Sequence, residues 1–261
     1  MELELTNKVA IITGASRGIG EGTAQVLAAE GCDVFLVARS SADLERVAAD
    51  IRAKTGRRAA THVADLMDPK APAATIAAAL GAYGRIDFLV NNAGATKRGN
   101  FFELTDDDWA SGYGLKFFGA MRMTRSAWPH IRANKGAIVN IIGIGSRTAA
   151  AEFTIGGSVN SALVNFTKAT GDIGRRDGVR VNAINPGHIQ TSRLEKRVEA
   201  AMSKTNGTRE DAIRGMIAEL GINRFGQPEE IGRLVAFLCS PKADFIQSTV
   251  IDMDGGETLA I

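Results

Sequence analysis

Residues 8–22 read KVAIITGASRGIGEG, and this stretch decides the fold. Its first part, residues 9–13, is a short apolar run rich in β-branched residues, which is typical of a buried parallel strand. The run ends at a glycine-rich turn, and residues 21–30 (EGTAQVLAAE) then form a helical pattern. The first N–H groups of a helix lack backbone partners and attract anions, and glycines let a phosphate approach closely. The pattern therefore predicts a nucleotide-phosphate site between a strand and a helix.

The rest of the chain repeats this alternation. Strand-like and helix-like segments follow one another, which predicts a mostly parallel α/β sheet covered on both faces, with ligands at the carboxyl ends of the strands. The predicted strands are residues 33–39, 58–65, 85–94, 136–143, 179–187 and 248–256, and the predicted helices are residues 41–54, 69–84, 105–133, 153–174 and 228–239. In the helix at 105–133, Thr105 is the expected N-cap and three aspartates fill the first turn as caps.

The composition is typical of a single α/β domain whose partners are small molecules or other subunits. The 261 residues suffice for one α/β domain, and 31 Lys+Arg against 29 Asp+Glu leave a net charge of +2. We therefore expect small molecules or other subunits as partners, with no nucleic acid and no membrane. The two cysteines, Cys32 and Cys239, indicate reduced core thiols, and no metal site is expected. The absence of a signal-like start or a long apolar run predicts a soluble cytoplasmic protein.

The helix–strand alternation stops between residues 187 and 227. About forty charge-rich residues intervene there, with apolar residues at helical spacing. An insertion after the carboxyl end of a strand is a candidate substrate lid, here at about 190–225, although a passive surface excursion would have the same pattern.

Seven motifs in order make the chain resemble the short-chain dehydrogenase/reductase family along nearly its whole length. They are TGASRGIG (13–20), Asp65-Leu66, NNAG (91–94), IVNI (138–141), RVNAINPGHIQTS (180–192), GQPEEIGRLVAFLCS (226–240) and DMDGG (252–256). The resemblance implies a single doubly wound Rossmann domain over residues 1–261, with a seven-stranded parallel sheet. It also implies NAD(H) or NADP(H) binding and assembly as a homotetramer or homodimer.

The resemblance further implies which residues hold the cofactor. The expected contacts lie at the phosphates, the adenine, the ribose and the nicotinamide; they are Gly14, Ser16, Arg17, Ile19, Gly20, Asp65, Leu66, Asn92, Ala93, Gly94, Pro186, Gly187, Ile189 and Thr191. An acid at the carboxyl end of the second strand would repel a 2′-phosphate. Here that end carries Arg39, and the guanidinium groups of Arg39 and Arg17 are suited to binding a phosphate. The acid Asp33 lies at the other end of the strand. The sequence therefore favours NADP(H) over NAD(H).

The predicted reaction centre departs from the family pattern of Asn, Ser, Tyr and Lys. Alignment on the motifs places Lys116, Gly143, Gly156 and Asn160 at those four positions. The only tyrosines, Tyr83 and Tyr113, are followed four residues later by Asp87 and Phe117, so no register shift restores Y-x-x-x-K. Gly156 and Gly157 are expected to weaken the helix start and to leave space where a ring would stand.

Several residues are candidates for the missing acid–base role. Lys116 is the first, because an apolar pocket would lower its pKa, although it could equally be a structural cation. His188 titrates near neutral pH, and Asn160 could hydrogen-bond the ribose. Further candidates are Ser146, Ser158 and Tyr113.

Three functions remain open from the sequence. The first is an NADP(H)-dependent oxidoreductase acting on a carbonyl or alcohol with a rebuilt proton relay. The second is a non-catalytic, NADP(H)-binding or regulatory subunit, which could assemble with an active paralogue. The third is non-redox chemistry in the same cleft.

Overall fold

The computed structural model describes residues 1–205 and 207–259, and the side chains of residues 204 and 205 lie outside that description. Strands and helices alternate along the chain. The strands are β1 (Val9–Thr13), β2 (Asp33–Ala38), β3 (Ala59–Val63), β4 (Phe88–Asn91), β5 (Ala137–Ile141), β6 (Arg180–Pro186) and β7 (Val250–Met253). The helices are α1 (Gly18–Ala29), α2 (Ser41–Thr55), α3 (Ala71–Tyr83), α4 (Asp106–Tyr113), α5 (Ala120–Ala133), α6 (Thr154–Asp177), α7 (Ser192–Thr205), α8 (Arg209–Leu220) and α9 (Pro228–Cys239).

The strands form one seven-stranded sheet in the order β3-β2-β1-β4-β5-β6-β7, and every pairing is parallel. The order reverses at β1, whose two neighbours are β2 and β4. Two apolar clusters lie on the sheet's two faces, because β1 directs Ile12 into one and Ile11 into the other. The predicted doubly wound Rossmann domain is therefore confirmed, with the reversal point beside the glycine-rich turn.

One predicted helix is wrong. Residues 105–133 do not form a single regular helix: α4 and α5 are joined by a π-helical turn at Gly114–Gly119. The turn has a glycine at each end. The predicted N-cap is confirmed, because Thr105 Oγ1 accepts from the Asp108 N–H and the Asp108 carboxylate accepts from Thr105 N–H.

Several predicted strands are too long. The strand predicted at residues 248–256 spans only Val250–Met253, because Gly255 and Gly256 turn away with φ values of +72° and +89°. The prediction at 85–94 shortens to Phe88–Asn91. In both cases motif residues lie in the loops beyond the strand, where they can face a ligand.

The insertion after β6 forms two helices, α7 and α8, with a small apolar cluster of its own. Leu194, Ile222 and Phe225 are buried in it, and side chains from one face of α8 pack against them. None of the helices in the described part of the chain combines the length and the apolar character needed to cross a membrane.

Candidate active site

The glycine-rich turn between β1 and α1 is shaped by close backbone approaches. Gly14 and Gly18 have φ values of +66° and +58°, a conformation that favours glycine. A Cβ at Gly20 would lie 2.2 Å from the carbonyl oxygen of Gly14, so no side chain fits there. The N-cap of α1, Arg17, makes no side-chain capping bond, and the first-turn N–H groups therefore remain available to an anion.

The β4 and β6 loops border the same turn. Asn92 donates from Nδ2 to the carbonyl oxygens of Thr13 and Gly14, at 3.0 and 3.2 Å. From the other side, Thr191 Cγ2 lies 3.1 Å from the Cβ position of Gly18. A cleft of about 500 Å³ opens along this border and includes Ser16, Arg17 and Thr191 in its walls.

The remaining predicted cofactor residues lie along the same carboxyl edge of the sheet. Leu66 is buried after β3, whereas Asp65 is exposed and Asp65 Oδ1 accepts from the Met67 N–H. Arg39 is exposed directly after β2. Asp33 lies at the opposite end of β2, as its sequence position predicted, and it is buried in ion pairs with Arg57 and Arg58.

Beyond β6, Gly187 donates its N–H to Met253, and Ile189 is buried against Gly226. The predicted cofactor residues therefore lie along one edge of the sheet, at the carboxyl ends of β1, β2, β3, β4 and β6, and three of them, Ser16, Arg17 and Thr191, line the cleft. Which of these residues touch a cofactor stays a prediction.

Lys116 lies in the π-helical turn and reaches the centre of this edge. Its Nζ donates to Asn160 Oδ1 and to the carbonyl oxygen of Ile142, both at 2.6 Å. An ammonium has three donors, so one more N–H is available. Loss of hydration in the cleft, aided by the nearby charge of Arg193, lowers the pKa of Lys116 to about 7. The predicted depression of the Lys116 pKa is confirmed by this environment.

Asn160 is buried in α6 and uses both ends of its amide. Its Oδ1 accepts from Lys116, and its Nδ2 donates to the carbonyl oxygen of Gly143 at 3.3 Å. Gly143 in turn donates its N–H to Asn185, which is tied to Asp252. The network makes Asn160 a support for Lys116. An amide Nδ2 has a second N–H, so the hydrogen bond from Asn160 to a ribose stays a prediction.

The space expected beside Gly156 is occupied by the side chain of another residue. The ring of Phe153, three residues earlier, folds back over the start of α6: a Cβ at Gly156 would lie 2.0 Å from it, and a Cβ at Gly145 would lie 2.6 Å from it. The two glycines hold the ring between them. The Arg98 guanidinium caps its outer face at 4.1 Å from the centroid.

His188 is held from both sides. Its Nδ1 lies 2.7 Å from Glu257 Oε2, and its Nε2 contacts the Arg197 guanidinium. An arginine can only donate, so Nε2 accepts from Arg197 and the Nδ1 N–H donates to Glu257 Oε2. Within the described residues neither ring nitrogen is left over for a substrate, and a catalytic role for His188 stays an untested prediction.

Of the further candidates, only the Ser146 hydroxyl is buried without a partner among the described residues. Ser158 is satisfied by donation to its own helix, and Tyr113 stacks on Trp109. Sequence reasoning missed Phe153, Arg98, Arg193 and Arg197. The spacing of Arg193 and Arg197, four residues apart on one helix, was the one signal available for any of them.

The comparisons with known proteins agree with this geometry. A family model described as enoyl-(acyl carrier protein) reductase matches residues 14–258. An uncharacterized oxidoreductase of Mycobacterium tuberculosis, MT0954, is 36% identical over 257 residues, covering 97% of this chain and 93% of the relative.

The similar solved structures also match over nearly the whole chain. L-Sorbose reductase from Gluconobacter frateurii, complexed with NADPH and L-sorbose, has a TM-score of 0.96 at 31% identity, with 100% of each chain covered. The 3-ketoacyl-(acyl-carrier-protein) reductase from Brucella melitensis, complexed with NADH, has a TM-score of 0.84 at 30% identity, covering 98% of this chain and 100% of that one. With the glycine-rich turn at the reversal point of the sheet, these matches mean that the chain belongs to the short-chain dehydrogenase/reductase family of oxidoreductases.

Proposed function

We propose that this protein is an NADP(H)-dependent oxidoreductase that interconverts a carbonyl group and an alcohol, with the Lys116 ammonium as the proton donor. The observation that carries the proposal is the position of Lys116 Nζ, 2.6 Å from Asn160 Oδ1. Position 160 is where the alignment expects the family's lysine, and position 116 is where it expects the asparagine. The two residue types have exchanged places, so a cation reaches the same part of the cleft from the opposite helix.

The glycine turn fits the cofactor's phosphates. A Cβ at Gly20 would fill the cradle, and the uncapped N-terminus of α1 offers N–H groups to an anion. The positive charges of Arg17 and Arg39 support NADP(H), because guanidinium forks suit a 2′-phosphate. The NADPH complex of the sorbose reductase is consistent with this preference, whereas the Brucella reductase is complexed with NADH.

Lys116 is suited to the proton transfer. A bound reduced nicotinamide supplies the hydride that goes to the carbonyl carbon. The Lys116 ammonium gives one proton to the carbonyl oxygen, which leaves a neutral amine and an alcohol, and solvent then restores the proton. A pKa of about 7 suits this exchange near neutral pH. Asn160 acts as a positioning residue, because its Oδ1 holds the ammonium in place.

One observation favours a second candidate function, that of a non-catalytic NADP(H)-binding subunit. The Phe153 ring fills the place beside Gly156, and a phenyl ring can neither donate nor accept a proton. In this alternative Lys116 is a structural cation that ties the π-helical turn to α6. The insertion formed by α7 and α8 stays a proposed lid in either case.

The test compares wild type with Lys116→Met, and Lys168→Met serves as the matched control because Lys168 is exposed on α6. NADPH affinity is measured by nucleotide fluorescence, and turnover is followed by NADPH consumption with aldehydes, ketones, ketoses and keto acids. We expect Lys116→Met to lower kcat by about 100-fold or more, the usual range for loss of a general acid. Its NADPH affinity should stay near that of the wild type, and its melting temperature should fall because two hydrogen bonds to buried acceptors are lost. The control should match the wild type throughout.

Wild-type protein that binds NADPH and turns over none of these substrates would support the non-catalytic alternative. Wild-type protein that binds no NADPH would overturn both candidates. Full activity in Lys116→Met would show that Lys116 is not the proton donor.

The cofactor preference is tested separately with Arg39→Asp. We expect the affinity for NADPH to fall by about tenfold to 100-fold, because a charge-assisted contact to the phosphate is replaced by repulsion. Affinity for NADH should hold or improve. Arg214→Asp on α8, equally exposed but distant from β2, is the control. An unchanged ratio of the two affinities would contradict the role of Arg39.

A further inference from the structure

Three arginines surround the reaction centre and are called the arginine cluster below: Arg98, Arg193 and Arg197. Arg98 covers the Phe153 ring with its Cζ 4.1 Å from the centroid. Arg193, in the first turn of α7, donates from Nη2 to the carbonyl oxygen of Gly94 at 3.1 Å. Gly94 itself packs on the Lys116 side chain, with its Cβ position 2.9 Å from Cγ.

Arg197 lies one turn further along α7 and is oriented by a relay. Its guanidinium contacts His188 Nε2, and His188 Nδ1 lies 2.7 Å from Glu257. The Glu257 carboxylate thus hydrogen-bonds the imidazole and forms no ion pair with Arg197 among the described residues. The cluster therefore approaches the centre from the β4 loop and from the inserted helix α7.

The cluster lacks close ion pairs. None of its members forms an ion pair with a carboxylate in residues 1–205 and 207–259, whereas ion pairs are frequent elsewhere on this surface. Glu152 is the one acid near Arg98. Loss of hydration, together with the charges of Arg197 and Arg193, lowers the pKa of Arg98, and loss of hydration with the charge of Arg17 does the same for Arg193. Like charges gathered in this way are stabilised by an anion between them.

We propose that the arginine cluster is a subsite for an oxyanion carried by the substrate, a carboxylate or a phosphate ester, so that the protein acts on an anionic carbonyl compound. This proposal rests on the proposed function of the cleft. Guanidinium forks match the geometry of carboxylates and phosphates, and two of the three belong to the inserted helix. Binding of the anion would therefore also hold α7 against the β4 loop.

The cofactor's own phosphates do not account for the whole cluster. Arg193 is close enough to Arg17 in the glycine turn to be influenced by its charge, whereas Arg98 is influenced by Arg193 and Arg197. Arg98 lies over the Phe153 ring and Arg197 contacts His188 Nε2, and neither partner belongs to the glycine turn. The part of the cluster formed by Arg98 and Arg197 is thus left for a second anion.

A binding experiment tests the subsite without requiring turnover. Malonate and inorganic phosphate are titrated calorimetrically into the full chain with saturating NADP⁺, which occupies the phosphate site of the glycine turn. We expect Arg98→Gln and Arg197→Gln each to weaken binding of at least one of the two anions by about tenfold or more. Arg214→Gln, which removes one exposed charge from α8 of the same insertion, should bind as wild type does. Equal affinities in all four proteins, or no binding to wild type, would overturn the proposal.

Wild-type protein provides a second measurement that needs no variant. Keto acids are compared with their methyl esters, and dihydroxyacetone phosphate is compared with dihydroxyacetone. A kcat/KM at least tenfold higher for the keto acid identifies a carboxylate, and the same preference for the phosphate ester identifies a phosphate. Equal values within both pairs would contradict the proposal. Anion binding that depends on Arg98, without turnover of any carbonyl compound, would support the anion subsite. The same result would contradict the proposed oxidoreductase function.

Discussion

At the residue scale, the contact between Phe153 and Gly156 explains how α6 tolerates two glycines near its start. From the sequence, the motif alignment predicts a glycine at the position of the family's tyrosine. It does not identify what replaces the ring, because Phe153 reaches position 156 only by folding back along its own helix. The place is occupied by an apolar ring, which Arg98 covers.

A double-mutant cycle tests this contact. In the wild-type background, Gly156→Ala forces a Cβ against the Phe153 ring, where the available distance is 2.0 Å. We expect a loss of about 1–3 kcal/mol in the free energy of unfolding. In the Phe153→Ala background the clash is gone, and the same change should stabilise the helix by up to about 1 kcal/mol. The readout is urea unfolding, and additive effects would show that the ring does not lie there.

Lys116 and Asn160 show which part of a functional site can be predicted from the sequence. The two positions were identified by counting along the motifs, and burial was expected to lower the lysine pKa. Their mutual hydrogen bond was not predictable, because it depends on the π-helical turn that aims Lys116 across to α6. A regular helix over residues 105–133 would point that side chain elsewhere.

At the element scale, α1 and α9 cross with almost no side chain between them. A Cβ at Gly22 would lie 2.7 Å from Pro228 Cβ, and one at Gly232 would lie 3.0 Å from the carbonyl oxygen of Gly22. This crossing holds the start of α1 against the sheet, and with it the glycine turn. The α9 boundaries were predicted correctly, but its contact with α1 was not.

The crossing predicts a contrast between two glycine substitutions in helices. Gly232→Val should lower the free energy of unfolding by about 1–3 kcal/mol, because the branched side chain has no room between the helices. Gly215→Ala on α8 has nothing within 4 Å of its Cβ position and should be neutral or stabilising by up to about 1 kcal/mol. Chemical denaturation measures both. Equal tolerance at the two positions would contradict the close crossing.

At the scale of the whole molecule, the parallel sheet covered on both faces follows from the alternation of strands and helices. Its doubly wound arrangement was predicted only through the family resemblance. The carboxyl-edge location of the cofactor residues follows from the same rule. The arginine cluster does not: Arg98 and Arg197 are about a hundred residues apart in sequence and meet only because α7 packs across the β4 loop. Exposed side chains that are far apart in the sequence but close in space leave no periodic pattern from which their proximity could be predicted.

The pH dependence of carbonyl reduction tests the central proposal, that Lys116 supplies the proton. Reduction needs the ammonium, so kcat/KM should be level at low pH and fall about tenfold per unit above a break near the Lys116 pKa of about 7. Alcohol oxidation needs the neutral amine and should show the opposite trend. Because a guanidinium keeps its proton throughout this range, the break should vanish in Lys116→Arg. A flat wild-type profile, or a break that persists in Lys116→Arg and disappears in His188→Gln, would contradict the proposal.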